Sequence, residues 1–150
     1  MISSPYSLSS RSFITYNEVP SIMHMTDPCN NLASQIILIG CCGAYCDTCR
    51  PLKDSVCKGC KLGYGDGKRD IRNARCAIKR CCIMVKKMDT CADCPGYEEC
   101  GMIQGLFNKT GYKYKKYRQS LEFIREFGYP AFIAAARSWK CAYGRLSPPK

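Results

Sequence analysis

Cysteine dominates the chain between residues 42 and 100, where eleven of its fourteen cysteines lie and no histidine does. Three Cys-x-x-Cys pairs stand in this stretch: Cys46/Cys49, Cys57/Cys60 and Cys91/Cys94. Such a pair in a tight turn can present two sulfurs to one tetrahedral ion, and two pairs complete a closed site. Because residues 41–67 have little apolar periodicity, metal–ligand bonds would supply much of their folding free energy. The pattern therefore predicts sulfur-ligated metal sites.

The cellular compartment decides whether such cysteines form disulfides or bind metals. The start of the chain lacks the basic and apolar segments of a secretory signal. The most apolar run, residues 36–39, is far too short to span a bilayer. We therefore expect a cytoplasmic protein with reduced thiols and no membrane partner, and a disulfide framework is the minor alternative.

The composition predicts a small α-rich protein with one core, because 150 residues and 46% hydrophobic composition suit a single domain. We predict a disordered leader over residues 1–35, a cysteine-rich domain over 36–145 and a tail over 146–150. Within the domain, residues 36–100 form the cysteine region and 101–145 the helical part. The expected fold is a metal-stapled region of irregular cysteine knuckles packed against a C-terminal helical hairpin. His24, the only histidine, is interpreted as a solvated leader residue.

Local patterns predict several elements. Residues 35–40 resemble a short strand or an extended lead-in to the cysteines. Asp70 is a good N-cap for a helix that runs to about Arg80. A second short helix should follow, with Pro95 near its first turn. The glycine at position 59 suits a knuckle that needs a positive φ.

The C-terminal part follows ordinary helix rules. Apolar residues at helical spacing predict a helix over residues 114–127. Gly128 suits the residue that ends it, and Pro130 suits the first turn of the next helix, which should bury Phe132 and Trp139.

Four cysteines fall outside the regular spacing and are interpreted as small buried apolar residues: Cys29, Cys41, Cys82 and Cys141. For the others, Zn²⁺ is the expected ion, because closed all-thiolate sites suit it. Four thiolates also hold iron–sulfur clusters, and spacing alone does not separate the two. The triad Cys42-x3-Cys46-x2-Cys49 matches that of radical adenosylmethionine enzymes, but 150 residues cannot build their barrel.

Four segments in order resemble the small microbial proteins of domain-of-unknown-function family 3795: residues 39–49 (IGCCGAYCDTC), 57–60 (CKGC), 76–81 (CAIKRC) and 91–100 (CADCPGYEEC). The likeness covers roughly residues 37–140. It implies metal binding but no reaction. The family pattern picks out ten candidate ligands: Cys42, Cys46, Cys49, Cys57, Cys60, Cys76, Cys81, Cys91, Cys94 and Cys100. Ten exceed the eight ligands of two four-coordinate sites, so at least two are surplus, bridging or redox-active.

Catalysis is poorly provided for, because the domain has no histidine to act as a general base near neutral pH. We expect a non-catalytic binding protein; an iron–sulfur or dithiol redox protein is the enzyme-class alternative. The net charge of +11 also allows an anionic partner, a nucleic acid or a protein. One basic region surrounds Lys68, Arg69, Arg72 and Arg75. The other interleaves aromatic and basic side chains suited to nucleic acid: Tyr112, Lys113, Tyr114, Lys115, Lys116 and Arg118.

Overall fold

The computed structural model describes residues 28–150, which form helices and turns around one core. Its α-helices are α1 (Pro28–Ile36), α2 (Arg50–Lys53), α3 (Ala77–Lys79), α4 (Gly101–Phe107) and α5 (Tyr112–Ala136). A π-helix, Arg80–Val85, continues α3, and 3-10 turns span Ile71–Asn73 and Cys91–Asp93. In this part of the chain the only β-type pairing is an isolated bridge between Ile39 and Tyr45. The α-rich class is confirmed.

The longest helix, α5, is interrupted at Gly128, whose φ of 82° and ψ of 172° are not helical. Only glycine adopts this conformation readily, and Pro130 two residues later lacks the N–H that a continuous helix would need. The predicted boundary at Gly128 is confirmed. The range Tyr112–Ala136 therefore consists of two helical stretches that meet at Gly128, as the sequence predicts.

An aromatic cluster joins the cysteine region to the end of α5. Tyr45, which is 1% exposed, packs edge to face on Phe132 and Trp139, with ring centroids 6.0 and 6.2 Å away. Phe132 and Trp139 are themselves 5.6 Å apart. Large aromatic rings in this arrangement contribute strongly to core stability. The residue before Cys46 is thereby anchored in the core.

The N-terminal boundary differs from the prediction. Residues 28–35 belong to α1 rather than to a disordered leader, and residues 1–27, with His24, lie outside the described part of the chain. The short strand or extended lead-in predicted over residues 35–40 is wrong at its start, where α1 runs through Ile36, and only Ile39 forms a bridge, with Tyr45. Leu32 and Ile36 pack against the core, and Nη2 of Arg137, the C-cap of α5, donates to Gln35 Oε1 at 2.7 Å. Tertiary contacts with α5 therefore make this segment helical.

The sequence predicts one continuous helix from Asp70 to Arg80, but the structure has two separate helical segments there. Asp70 does cap a helical turn by accepting from the Arg72 N–H at 2.9 Å, but that turn ends at Asn73. Ala74 is extended, and Cys76 begins a new helix, α3. Short polar residues such as Asp and Asn hydrogen-bond to nearby backbone and favour turns over helix interiors.

The short helix expected after Pro95 begins later. Cys94 is extended, as the residue before a proline usually is, and residues 95–99 form turns. Cys100 is the N-cap of α4, which buries Ile103 and Phe107 as the sequence predicts. Pro95 is therefore not in its first turn.

Candidate metal centre

The Cys46/Cys49 turn is held by backbone and side-chain hydrogen bonds from three directions. The Cys46 N–H donates to the Leu38 carbonyl at 2.7 Å, and the Tyr45 N–H donates to the Ala142 carbonyl at 2.8 Å. Thr48 is only 6% exposed, and its hydroxyl donates to the Cys141 carbonyl at 2.8 Å. The end of α1 and the C-terminal segment thus fix this turn.

The Cys57/Cys60 turn lies against the loop that follows α1. Gly59 has a φ of 76°, which confirms the positive φ predicted for this glycine. A Cβ at Gly40 would lie 3.1 Å from the Cys60 Sγ, so only glycine lets Cys60 approach this closely. The sequence reasoning missed the requirement at Gly40, because it depends on a contact twenty residues away.

The thiols of Cys46 and Cys60 form a coupled pair at the centre of this region. Hydrogen bonding with Cys60 lowers the pKa of Cys46, and hydrogen bonding with Cys46 together with burial raises the pKa of Cys60. The pair thus gives up its first proton easily and its second with difficulty. Burial and the nearby Cys60 charge raise the pKa of Cys42 to about 12.

These interactions define a first thiol cluster, in which Cys49 and Cys57 act electrostatically on Cys46 and Cys76 acts on Cys42. Cys57 and Cys76 are exposed, so the cluster opens to solvent on one side. Its six members are Cys42, Cys46, Cys49, Cys57, Cys60 and Cys76.

A second thiol cluster surrounds a small cavity of about 30 Å³. The remaining cavity wall is largely apolar and includes Ile78, Met88 and Ile103, with the Lys86 side chain as its basic member. The five cysteines that line it, and that define the second thiol cluster, are Cys81, Cys82, Cys91, Cys94 and Cys100. Four of these are predicted ligands.

Helix α5 holds the Cys91/Cys94 turn. Thr90 and Asp93 form a capping box around the 3-10 turn, and the Tyr129 hydroxyl donates to Asp93 Oδ2 at 2.5 Å. The Arg125 guanidinium donates to the carbonyls of Ala92 and Cys94 at 3.0 and 3.3 Å. These hydrogen bonds fix the Cys91/Cys94 turn against α5.

Two cysteines that the sequence analysis set aside lie among the thiols. Cys41 and Cys82 are each 3% exposed, which confirms their predicted burial. Hydrogen bonding with Cys82 and burial raise the pKa of Cys41 far above its usual value, and the Cys41 carbonyl accepts from the Cys91 N–H at 3.0 Å. The hydrogen bond with Cys41 lowers the pKa of Cys82. The hydrogen bond with Cys91 and burial outweigh this effect and raise the pKa to about 12. In the sequence, Cys41 adjoins the predicted ligand Cys42, and Cys82 adjoins the predicted ligand Cys81. This adjacency was the one feature that could have indicated their position among the thiols.

Cys141 belongs to neither cluster. Cys141 is half-buried, and its Sγ donates to the Tyr143 carbonyl at 3.0 Å. The side chain of Cys29 lies outside the described atoms.

The thiols are not arranged around an ion. Across residues 28–150, no group of three or more His, Cys, Asp or Glu side chains is placed to hold a metal. The donor chemistry nevertheless fits a thiophilic ion, because each cluster offers at least four sulfurs. Protonated thiols have no common attraction that would draw four sulfurs together, whereas a divalent ion supplies one.

The six aromatic and basic residues predicted to contact nucleic acid lie at the start of α5, and four of them pack on one another in pairs. Lys116 Nζ lies 5.2 Å above the Tyr112 ring, and Lys113 Nζ lies 5.0 Å above the Tyr114 ring. Arg118 instead forms an ion pair with Glu122 at 2.7 Å. Tyr117 is half-buried, as expected for a residue on the core-facing side.

No protein-family model, curated protein or solved structure matches the chain. The resemblance to domain-of-unknown-function family 3795 therefore stays a prediction. In the part of the chain that the structure describes, every helix is too short or too polar to cross a bilayer.

Proposed function

We propose that the protein binds metal ions through its two thiol clusters and that the ions stabilise a non-catalytic binding protein. Two findings support this proposal: five cysteines, four of them predicted ligands, line one cavity, and the other six predicted ligands act electrostatically on one another. Cysteines distributed by burial alone would scatter through the core. Here the exposed Cys57 and Cys76 join the buried ones instead.

Zn²⁺ is the proposed ion, and it would supply structural cross-links. In the first cluster the Cys46/Cys60 pair would provide two ligands, with the others drawn from Cys42, Cys49, Cys57 and Cys76. In the second cluster Cys81, Cys91, Cys94 and Cys100 are the proposed ligands. Buried thiols with raised pKa values must release protons when they bind, so uptake should weaken as the pH falls.

The second cluster also supports an alternative occupant. Its cavity is lined by five cysteines, two methionines and other largely apolar residues, and such a sulfur-rich lining suits an iron–sulfur centre as well as zinc. An iron–sulfur centre would make the protein an electron carrier. Its brown colour and reversible bleaching by dithionite would identify it.

Metal analysis of protein purified without oxygen tests the proposal. We expect about two equivalents of zinc per chain, and a content below about half an equivalent of any metal would refute the proposal. The double variant Cys46→Ser/Cys60→Ser should lose the ion of the first cluster, and Cys94→Ser that of the second. Cys141→Ser is the matched control, because Cys141 lies in neither cluster, and it should keep both ions.

A further inference from the structure

Positive charge is concentrated in one short segment beside the first thiol cluster. Residues 58–80 carry eight basic and two acidic side chains, a net charge of +6 out of +11 for the whole chain. A zinc ion with four thiolates would carry about −2, so the segment has far more positive charge than a metal site of the proposed kind needs. The excess charge requires another explanation.

The cations of this segment converge on an open groove between the Cys57/Cys60 turn and the start of α3. Lys58, Arg75 and Lys79 line the groove, together with the amide of Asn73. Within residues 28–150 these three cations form no ion pair and donate no hydrogen bond. Their charges are therefore available to a partner.

The acidic side chains nearby are already paired. Asp70, which also lines the groove, accepts from the Arg72 guanidinium at 2.9 and 3.1 Å. Asp66 pairs with Lys68 at 3.1 Å. The carboxylates therefore do not neutralise the three groove cations.

Arg69 holds the groove wall in place. Its Nη1 donates to the carbonyls of Lys58, Gly59 and Leu62 at 3.1, 2.9 and 2.9 Å. Its Nη2 donates to the Tyr64 hydroxyl at 2.9 Å, and the guanidinium lies 4.3 Å from the centroid of that ring. Because this wall is ordered in advance, a partner would bind without a large cost in conformational entropy.

We propose that this groove binds the phosphate backbone of a nucleic acid. Lysines and arginines along an open groove match the repeating charges of such a backbone. A lipid surface would require an apolar face to insert, and an acidic peptide would require pockets for its side chains. The apolar lining of the groove is limited to Ala74, Cys76 and the Tyr64 ring, which Arg69 and Lys79 already flank. Binding should therefore be insensitive to base sequence.

The test compares two triple variants of the full chain that each remove three positive charges. Lys58→Gln/Arg75→Gln/Lys79→Gln alters the groove, and Lys113→Gln/Lys115→Gln/Lys116→Gln alters the start of α5. Binding to fluorescent single-stranded RNA and DNA of about 20 nucleotides is measured between about 50 and 300 mM salt. Metal content and circular dichroism of each variant show whether its fold is intact.

We expect the groove variant to bind at least about tenfold more weakly at 0.1 M salt and its salt slope to fall by about 2, since each phosphate contact contributes about 0.7. The α5 variant should bind like the parent protein. Because Lys79 also acts electrostatically on Cys60, the double variant Lys58→Gln/Arg75→Gln tests the groove with that residue intact. It should show about two-thirds of the slope change of the triple variant.

Several results would overturn the inference. One is an equal or greater loss in the α5 variant, and another is no binding by the parent protein at about 50 mM salt. Tighter binding to phosphatidylserine vesicles or polyglutamate than to nucleic acid would assign the groove to a different partner. Metal content is read separately, so a failure of metal binding is distinguishable from a failure of the groove.

Discussion

The substitution Gly43→Ala tests how closely the cysteine region is packed against α5. Gly43 has a φ of 93°, and a Cβ at this position would lie 2.7 Å from the Tyr117 carbonyl oxygen and 3.1 Å from side-chain atoms of Ser120 and Leu121. The left-handed backbone costs an alanine about 1–2 kcal/mol. The overlap with a helix carbonyl adds about 1–2 kcal/mol, because neither backbone can yield freely.

Together these effects should lower the free energy of unfolding by about 2–4 kcal/mol, a large share of the total for a domain of this size. The midpoint of thermal unfolding, followed by circular dichroism, should fall by about 10 °C. Gly65→Ala is the matched control, because its Cβ would meet no atom within 4 Å. If both variants melt within about 2 °C of each other, the reasoning about this contact is wrong.

Three further perturbations follow from buried polar groups. Tyr97→Phe should stabilise the protein by about 1 kcal/mol in denaturant unfolding, because the buried Tyr97 hydroxyl has no hydrogen-bond partner in the described part of the chain. Tyr129→Phe should destabilise it by about 1–2 kcal/mol in the same assay, because it removes hydrogen bonds with Asp93 and Thr90. Metal-free, reduced protein should lose stability as the pH rises from about 9 toward 12, since the folded state holds the Cys42 proton more tightly than the unfolded state does. Between pH 8 and about 10.5 the free energy of unfolding should fall by on the order of 2 kcal/mol. An unchanged value over this range would contradict the raised pKa of Cys42.

Local rules account for the parts of the fold that local chemistry controls. The break at Gly128 and the burial of Phe132 were predictable, because glycine conformation and helical periodicity act within a few residues. The cap at Asp70 and the positive φ at Gly59 were predictable for the same reason. These features need no knowledge of the rest of the chain.

The errors all involve segments whose partners are distant in sequence. Helix α1 forms where the sequence predicts a leader and a strand, because Leu32 and Ile36 meet the core and Gln35 meets Arg137. The helix expected over residues 70–80 is broken at Ala74, which is 8% exposed in its extended conformation. Burial against other elements outweighs local helix preference.

By itself, the amino-acid sequence determined the chemistry of this protein: a cysteine-rich segment without histidine, a basic charge balance and a C-terminal helical part. Its Cys-x-x-Cys pairs could be recognised as candidate ligands, because two residues that only two others separate are always close in space. Only the tertiary structure decided which Cys-x-x-Cys pairs lie near each other and that Cys41 and Cys82 lie among the thiols. It alone also brings Lys58, Arg75 and Lys79 to one groove beside the first thiol cluster. These groupings join residues tens of positions apart, and only the packing of the chain on itself brings such residues within contact distance.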